Sequence, residues 1–207
     1  MQDKRVGILG LGPQGVAHLK FVEALGDADV VAVCDESTAV SFRFLNDGND
    51  RFTDHLYQNL PEMLAKAQLD ILVMATPWRY RCPGIKLALE AGCHVMVENP
   101  LAMTADECAA IMGLAEAHPS LRVCVNEQWR WLPSVLCVKG RLTGLNYGRL
   151  KAVRLAGKGR DANVELPRIV THLLSILQDD MVALFESAYV NWLNAQSMVA
   201  SLMTPEG

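Results

Sequence analysis

Val6-Gly7-Ile8-Leu9-Gly10-Leu11-Gly12-Pro13-Gln14-Gly15, followed by Val16-Ala17-His18-Leu19, is the stretch on which the fold turns. Arg5 to Leu9 is a short apolar run stopped by Gly10, and from Pro13 to Leu25 the apolar residues Val16, Leu19, Phe21, Val22 and Leu25 recur at helical spacing. The reading is strand, turn, helix. Gly10-Leu11-Gly12-Pro13-Gln14-Gly15 then has the G-x-G-x-x-G form at the strand-to-helix turn, where each glycine has a physical task. Gly10 permits the tight turn, Gly12 lets a pyrophosphate approach the backbone, and Gly15 lets the helix pack closely on the strand. The helix start at Pro13 and Gln14 offers unpaired N–H groups and partial positive charge to phosphates.

A second apolar run, Val30 to Cys34, ends in Asp35, 20 residues past Gly15. A carboxylate there accepts hydrogen bonds from both adenosine-ribose hydroxyls, so Gly10, Gly12, Pro13, Gln14, Gly15 and Asp35 are expected to hold a nicotinamide dinucleotide. The bland alternative is a glycine turn that serves packing alone, with Asp35 a solvated acid. A 2'-phosphate would sit against Asp35, and Glu36 follows without an adjacent Arg, which favours NAD; Arg43 on the next helix leaves NADP open.

The pattern repeats along the chain. Ser37 is an N-cap for a helix through Asn46; Asn59-Leu60-Pro61-Glu62 and Thr104-Ala105-Asp106-Glu107 have the form of capping boxes; Gly92 is placed to end a helix over Arg81 to Ala91. Apolar runs at Ile71 to Ala75, His94 to Val97 and Leu121 to Asn126 read as buried parallel strands. The order βαβαβαβαβ predicts an α/β fold, a doubly wound parallel sheet of the Rossmann type, over residues 1–125. Residues 126–207 read as a partial α+β domain: a helix from Pro133, a strand over Arg149 to Leu155, a loop at Gly157-Lys158-Gly159-Arg160-Asp161, a helix near Arg168 to Gln178, and β-like runs over Phe185 to Trp192 and Ser197 to Met203.

Composition narrows the function classes. With 51% hydrophobic and 20% charged residues the chain can bury a core. A net charge of −4 gives no basic excess to attract nucleic acid, and no run reaches the length of a membrane span or a signal peptide. Cys34, Cys82, Cys93, Cys108, Cys124 and Cys137 form no CxxC pair and sit mostly in apolar runs, the pattern of reduced core cysteines in a cytoplasmic protein without a metal site.

Further along stand Ala75-Thr76-Pro77, the run Ala91-Gly92-Cys93-His94-Val95-Met96-Val97 leading into Glu98-Asn99-Pro100-Leu101-Ala102, and Arg130 with Pro133. Together with the glycine motif and Val33-Cys34-Asp35, these residues make the chain resemble, over essentially its whole length, the glucose-fructose oxidoreductase and inositol dehydrogenase family, Gfo/Idh/MocA. The resemblance implies a Rossmann domain followed by an α+β substrate domain, and hydride transfer between a nicotinamide and a secondary alcohol or ketone of a sugar, cyclitol or related small molecule. It implies that Thr76, Pro77, Trp78, Glu98 and Asn99 join the cofactor site.

Three departures bear on the chemistry. The family's E-K-P motif supplies a lysine where this chain has Asn99, which can hydrogen-bond a hydroxyl but cannot transfer a proton. Where the family places an Asp four residues before a His, this chain has Arg168 and His172, so His172 is the candidate base, with Arg168 beside it to keep it neutral; its alternative is a partly buried helix histidine. Arg81 stands where many relatives have a His. His18, His94 and His118 are expected to be structural. The resemblance also implies that relatives continue well beyond residue 207, so the expectations include an incomplete substrate pocket and a homo-oligomer that covers an open sheet edge. A non-catalytic dinucleotide sensor stays beside the enzyme as the second reading.

Overall fold

The computed structural model describes residues 3–144, 152–158, 170–171, 187–194 and 197–203. Two compact units divide at Asn126 and Glu127.

The first unit is built on strands β1 (Lys4–Leu9), β2 (Ala28–Cys34), β3 (Leu56–Tyr57), β4 (Ile71–Met74), β5 (His94–Glu98) and β6 (Val123–Asn126). They form one parallel sheet in the order β3-β2-β1-β4-β5-β6. Between them run helices α1 (Pro13–Glu23), α2 (Thr38–Phe44), α3 (Leu60–Ala67), α4 (Arg81–Glu90) and α5 (Ala105–Ala117). Strand side chains alternate between faces, and both faces are apolar. Val6, Ile8, Val33 and Val73 meet Leu19 of α1 and Phe44 of α2 on one side. Ala32, Cys34, Leu72, Met74, Val95 and Val97 meet Met63 of α3, Ile85 and Leu89 of α4 and Ile111 of α5 on the other. Continuous rather than alternating hydrophobicity in these strands follows from that double cover. Each large side chain sealed here, Ile8 and Leu72 among them, stabilises the unit by about 1.5–3 kcal/mol.

Local sequence sets the helix ends. Ser37 Oγ accepts from Val40 N, Asn59 Oδ1 from Glu62 N at 2.9 Å and Thr104 Oγ1 from Glu107 N at 3.2 Å. The return arm of the capping box differs from the sequence expectation: Glu62 accepts from the Asn59 side-chain amide, and Glu107 from the Met103 N–H, one residue before the cap. Gly92, with φ +80°, takes the left-handed conformation that ends α4 without a Cβ penalty.

The sheet has six strands where the sequence suggested five, because β3 is only two residues long and too short for any periodicity to show. Helix α2 stops at Phe44 rather than Asn46; the chain widens into a turn over Leu45–Asn49, in which Gly48 has φ +88°.

The second unit contains α6 (Pro133–Gly144), β7 (Ala152–Lys158), β8 (Ser187–Asn194) and β9 (Ser197–Met203). The strands form an antiparallel sheet in the order β7-β9-β8. Gly157 and Lys158, expected in a loop, belong to β7, where they pair with Met198 and Ser197; the glycine had argued for a break that cross-strand pairing overrides. The expected helix with Arg168 and His172 lies outside the described residues apart from helical Val170 and Thr171.

Two of the six cysteines, Cys34 and Cys93, are buried, whereas Cys124 and Cys137 are exposed, which corrects the expectation of mostly core thiols. Among the described residues no helix is long and apolar enough to cross a membrane.

Candidate functional site: a cleft at the strand ends

Strand order reverses direction between β1 and β4, since the chain builds outward from β1 through β2 to β3 and then returns to the other side of β1. Connections leave such a point on opposite faces and open a crevice at the carboxyl ends of the strands. A cleft of about 480 Å³ lies there, lined by Gly10, Gly12, Asp35, Glu36, Thr76 and Pro77, and also by Gln58, Arg79, Tyr80 and Leu87.

The three glycines of the motif differ in what surrounds them. At Gly10, φ is +92° and a Cβ would stand 2.8 Å from the Ala75 carbonyl oxygen. At Gly15 a Cβ would fall 1.8 Å from the carbonyl oxygen of Gly10, so α1 touches the loop through bare backbone. At Gly12 a Cβ would meet nothing within 4 Å among the described residues. That empty flank borders the cleft, and Gly12 caps α1 with no side-chain acceptor, the arrangement that leaves first-turn N–H groups for an anion.

Asp35 does two jobs at once. Its Oδ2 accepts from Leu11 N at 2.8 Å and its Oδ1 from Ser37 N at 2.9 Å, which ties the glycine loop and the start of α2 to the end of β2. An ionised carboxylate has about four acceptor positions, so capacity for two hydroxyl donors remains. Next to it, burial and then the Asp35 charge push the Cys34 thiol up to about 12, which keeps it protonated and inert. Thr76 Oγ1 is buried and has no hydrogen-bond partner among the described residues. An orphaned hydroxyl beside an open glycine flank fits a ligand that brings its own polar atoms.

At the end of β5 the polar groups are densely paired. Arg81, 5% exposed, donates from Nε and Nη2 to the Thr76 carbonyl at 3.2 Å each and from Nη1 to the Glu98 carbonyl. Burial pushes its guanidinium down to about 10, against the pull of the Glu98 charge, so it stays a cation at neutral pH. His18 Nε2 lies 2.6 Å from Glu98 Oε1, and Asn126 Nδ2 donates to the same oxygen at 2.7 Å. Burial alone pushes the Glu98 carboxyl up; the hydrogen bonds from His18 and Asn126 and the charges of His18 and Arg81 outweigh it and hold the group below the usual carboxylate range. Asn99 is buried, 8% exposed, on the peptide that follows.

Of the residues singled out in the sequence, Gly10, Gly12, Asp35, Thr76 and Pro77 line the cleft, while Pro13, Gln14, Gly15, Trp78, Glu98 and Asn99 do not. Pro13 opens α1, Gly15 packs, Trp78 is half-buried in the turn Trp78–Tyr80, and Glu98 faces His18 and Asn126. Arg43 is exposed and does not line the cleft; Arg79 does. Gln58, Arg79 and Tyr80 carried no sequence signal, because they come from connections whose spacing is irregular. His94 accepts from Arg122 N and His118 Nδ1 faces the Leu114 carbonyl.

Residues 4–127 match the family model described as the oxidoreductase family, NAD-binding Rossmann fold, of Gfo/Idh/MocA proteins. The chain belongs to this Gfo/Idh/MocA family. A glycosyl hydrolase family 109 protein of Shewanella baltica is 31% identical over 130 residues, covering 56% of this chain and 27% of its own length. A second family 109 protein, from Shewanella sp. strain ANA-3, is 35% identical over 125 residues with the same coverage. The chain thus spans about a quarter of the length of these curated relatives. Among solved structures, the WlbA dehydrogenase of Bordetella pertussis in complex with NADH and UDP-GlcNAcA is similar with a TM-score of 0.79 at 22% identity, covering all of this chain and 68% of that one. Scyllo-inositol dehydrogenase of Lactobacillus casei, with bound NAD(H) and scyllo-inositol, gives 0.69 at 17% identity over 92% of this chain and 58% of that one. At these identities the likeness is one of fold. The cleft of this Gfo/Idh/MocA chain has features that fit a dinucleotide: the open flank of Gly12, the spare acceptor capacity of Asp35, and a Thr76 hydroxyl that has no partner among the described residues.

Proposed function

We propose that this chain is the dinucleotide-binding part, residues 1–125, and a portion of the substrate domain, residues 126–207, of an NAD-dependent oxidoreductase acting on a secondary alcohol or ketone of a sugar, cyclitol or related small molecule. The observation that carries the reading is the cleft at the strand ends, which Gly12 and Asp35 both line and where Gly12 is open. A bound nicotinamide supplies the hydride acceptor or donor. Everything else falls to the protein. The first turn of α1 holds the phosphates, Asp35 orients the ribose, and Asp35 with Glu36 in the cleft favours NAD over the extra phosphate of NADP. Asn99 hydrogen-bonds the substrate oxygen without moving its proton. Oxidation of the alcohol also needs a base for that proton, and His172, four residues after Arg168 in the sequence, is proposed for it; both lie outside the described residues. The substrate class rests on the sugar and cyclitol ligands of the structural neighbours.

A second reading, a non-catalytic dinucleotide sensor, draws on Asn99, which is buried where the family's lysine would stand. One experiment separates the two: titration of the chain with NADH and NADPH by fluorescence, followed by turnover on a panel of polyols and sugars with NAD. Binding with turnover supports the enzyme, binding without turnover the sensor, and absence of binding sinks both. A cytoplasmic homo-oligomer is the form we propose for the protein, tested by its molecular mass across a concentration series.

A further inference from the structure

His18 sits on α1, three residues beyond Gly15, and is buried with 9% exposure. Its partner Glu98 ends β5, 80 residues away in sequence, at 2.6 Å. The same Glu98 oxygen takes the amide of Asn126 from the end of β6, and the Glu98 main chain takes Arg81, whose other N–H groups reach Thr76 at the edge of the cleft. Four elements therefore meet at one carboxylate residue.

The contact matters because of how α1 is otherwise held. Near its start it meets the glycine loop through Gly15, where backbone lies on backbone with no side chain to interlock. Further along, Leu19 is buried and Val16 and Val22 are half-buried against the sheet. Apolar packing of this kind is non-directional and resists a small roll of the helix only weakly. A hydrogen bond to a carboxylate is short and directional. It is a side-chain polar contact made from α1 itself, six residues past Gly12.

We propose that His18 and Glu98 are positioning residues for the dinucleotide: their bond sets the roll of α1, and with it the aim of the first-turn N–H groups, relative to the strand end that carries Asn99. Neither residue lines the cleft, so neither touches the cofactor from its present place. The inference rests on the dinucleotide reading of the cleft. It predicts that the reach of the residue 98 side chain matters and its charge does not.

Glutamine at 98 keeps the reach and the acceptor oxygen and loses the charge; aspartate keeps the charge and falls short of His18 by one methylene. The test is a fluorescence titration of the full chain with NADH for wild type, Glu98→Gln, Glu98→Asp and His18→Ala, with a thermal melt of each. Glu98→Asp and His18→Ala are expected to weaken NADH binding about fivefold to tenfold, the scale of one lost buried hydrogen bond, while Glu98→Gln stays within about threefold of wild type. The double variant His18→Ala/Glu98→Asp should bind no more weakly than either single one. Wild-type affinity in Glu98→Asp, or in His18→Ala should the aspartate variant not fold, overturns the positioning role. Equal losses in Glu98→Gln and Glu98→Asp overturn it too, since charge would then be the active property. A wild-type chain that binds no NADH overturns the dinucleotide reading itself along with the inference.

Discussion

The carboxylate of Asp35 accepts the backbone N–H of Leu11 at 2.8 Å, across 24 residues of chain, so the side chain proposed to read a ribose also holds the glycine loop in position. Asp35→Ala is expected to lower the melting temperature, because two backbone donors, Leu11 N and Ser37 N, lose their acceptor; the cost is about 1–3 kcal/mol, read by denaturant unfolding. NADH affinity should fall by about tenfold in the same variant. An Asp35→Ala chain as stable as wild type would mean that solvent replaces the carboxylate at both N–H groups.

Gly12 and Gly15 should respond in opposite ways to the same added methyl. Gly15→Ala drives a Cβ into the Gly10 backbone and should destabilise the unit by about 1–3 kcal/mol or more, seen as a lowered melting temperature. Gly12 has φ −68°, which alanine adopts readily, and open space around it. Gly12→Ala is therefore expected to melt close to wild type and to lose dinucleotide binding. Unimpaired NADH binding in Gly12→Ala would show that the phosphates pass elsewhere.

Arg81 should prove a structural cation. Removing it leaves the Thr76 and Glu98 carbonyls without the donors they have now. Arg81→Ala is expected to cost about 2–3 kcal/mol of stability in a denaturant titration. Arg81→Lys should recover only part of this, because an ammonium lacks the planar fork that spans two carbonyls.

Acid stability should depend on Glu98. Its carboxyl is held below the ordinary value of 4.5 in the folded chain, so the folded state binds the proton less readily than the unfolded one. The stabilisation is present in full above the unfolded value and is lost as the pH falls through the depressed folded value. Melting temperature plotted against pH should drop below about pH 4.5, and Glu98→Gln should flatten that part of the curve. An unchanged curve in the variant would move the acid sensitivity to other carboxylates.

Much of the first unit was legible before any coordinates. Strands from Lys4–Leu9 to Val123–Asn126 announce themselves as apolar runs because both faces of the sheet are covered, and the caps at Ser37, Asn59 and Thr104 are local hydrogen bonds between residues three apart. Leu56–Tyr57 could not be seen, since two residues carry no period, and Gly157 misled because glycine marks a turn unless pairing holds it in a strand.

What the sequence alone determined is the order of elements and the glycine loop, both of which depend on neighbours along the chain: 3.6-residue and 2-residue periodicities, and a backbone conformation at Gly10 that only glycine adopts readily. The tertiary structure decided which polar groups meet. His18 with Glu98, Asp35 with Leu11, and Arg81 with two carbonyls join elements that are 80, 24 and up to 17 residues apart. Such pairs are set by the strand order β3-β2-β1-β4-β5-β6, which brings the carboxyl ends of strands distant in sequence to one side of the sheet, and by the cost of burying any of these groups alone. No local spacing encodes that meeting, because a hydrogen bond depends on where two atoms end up in space.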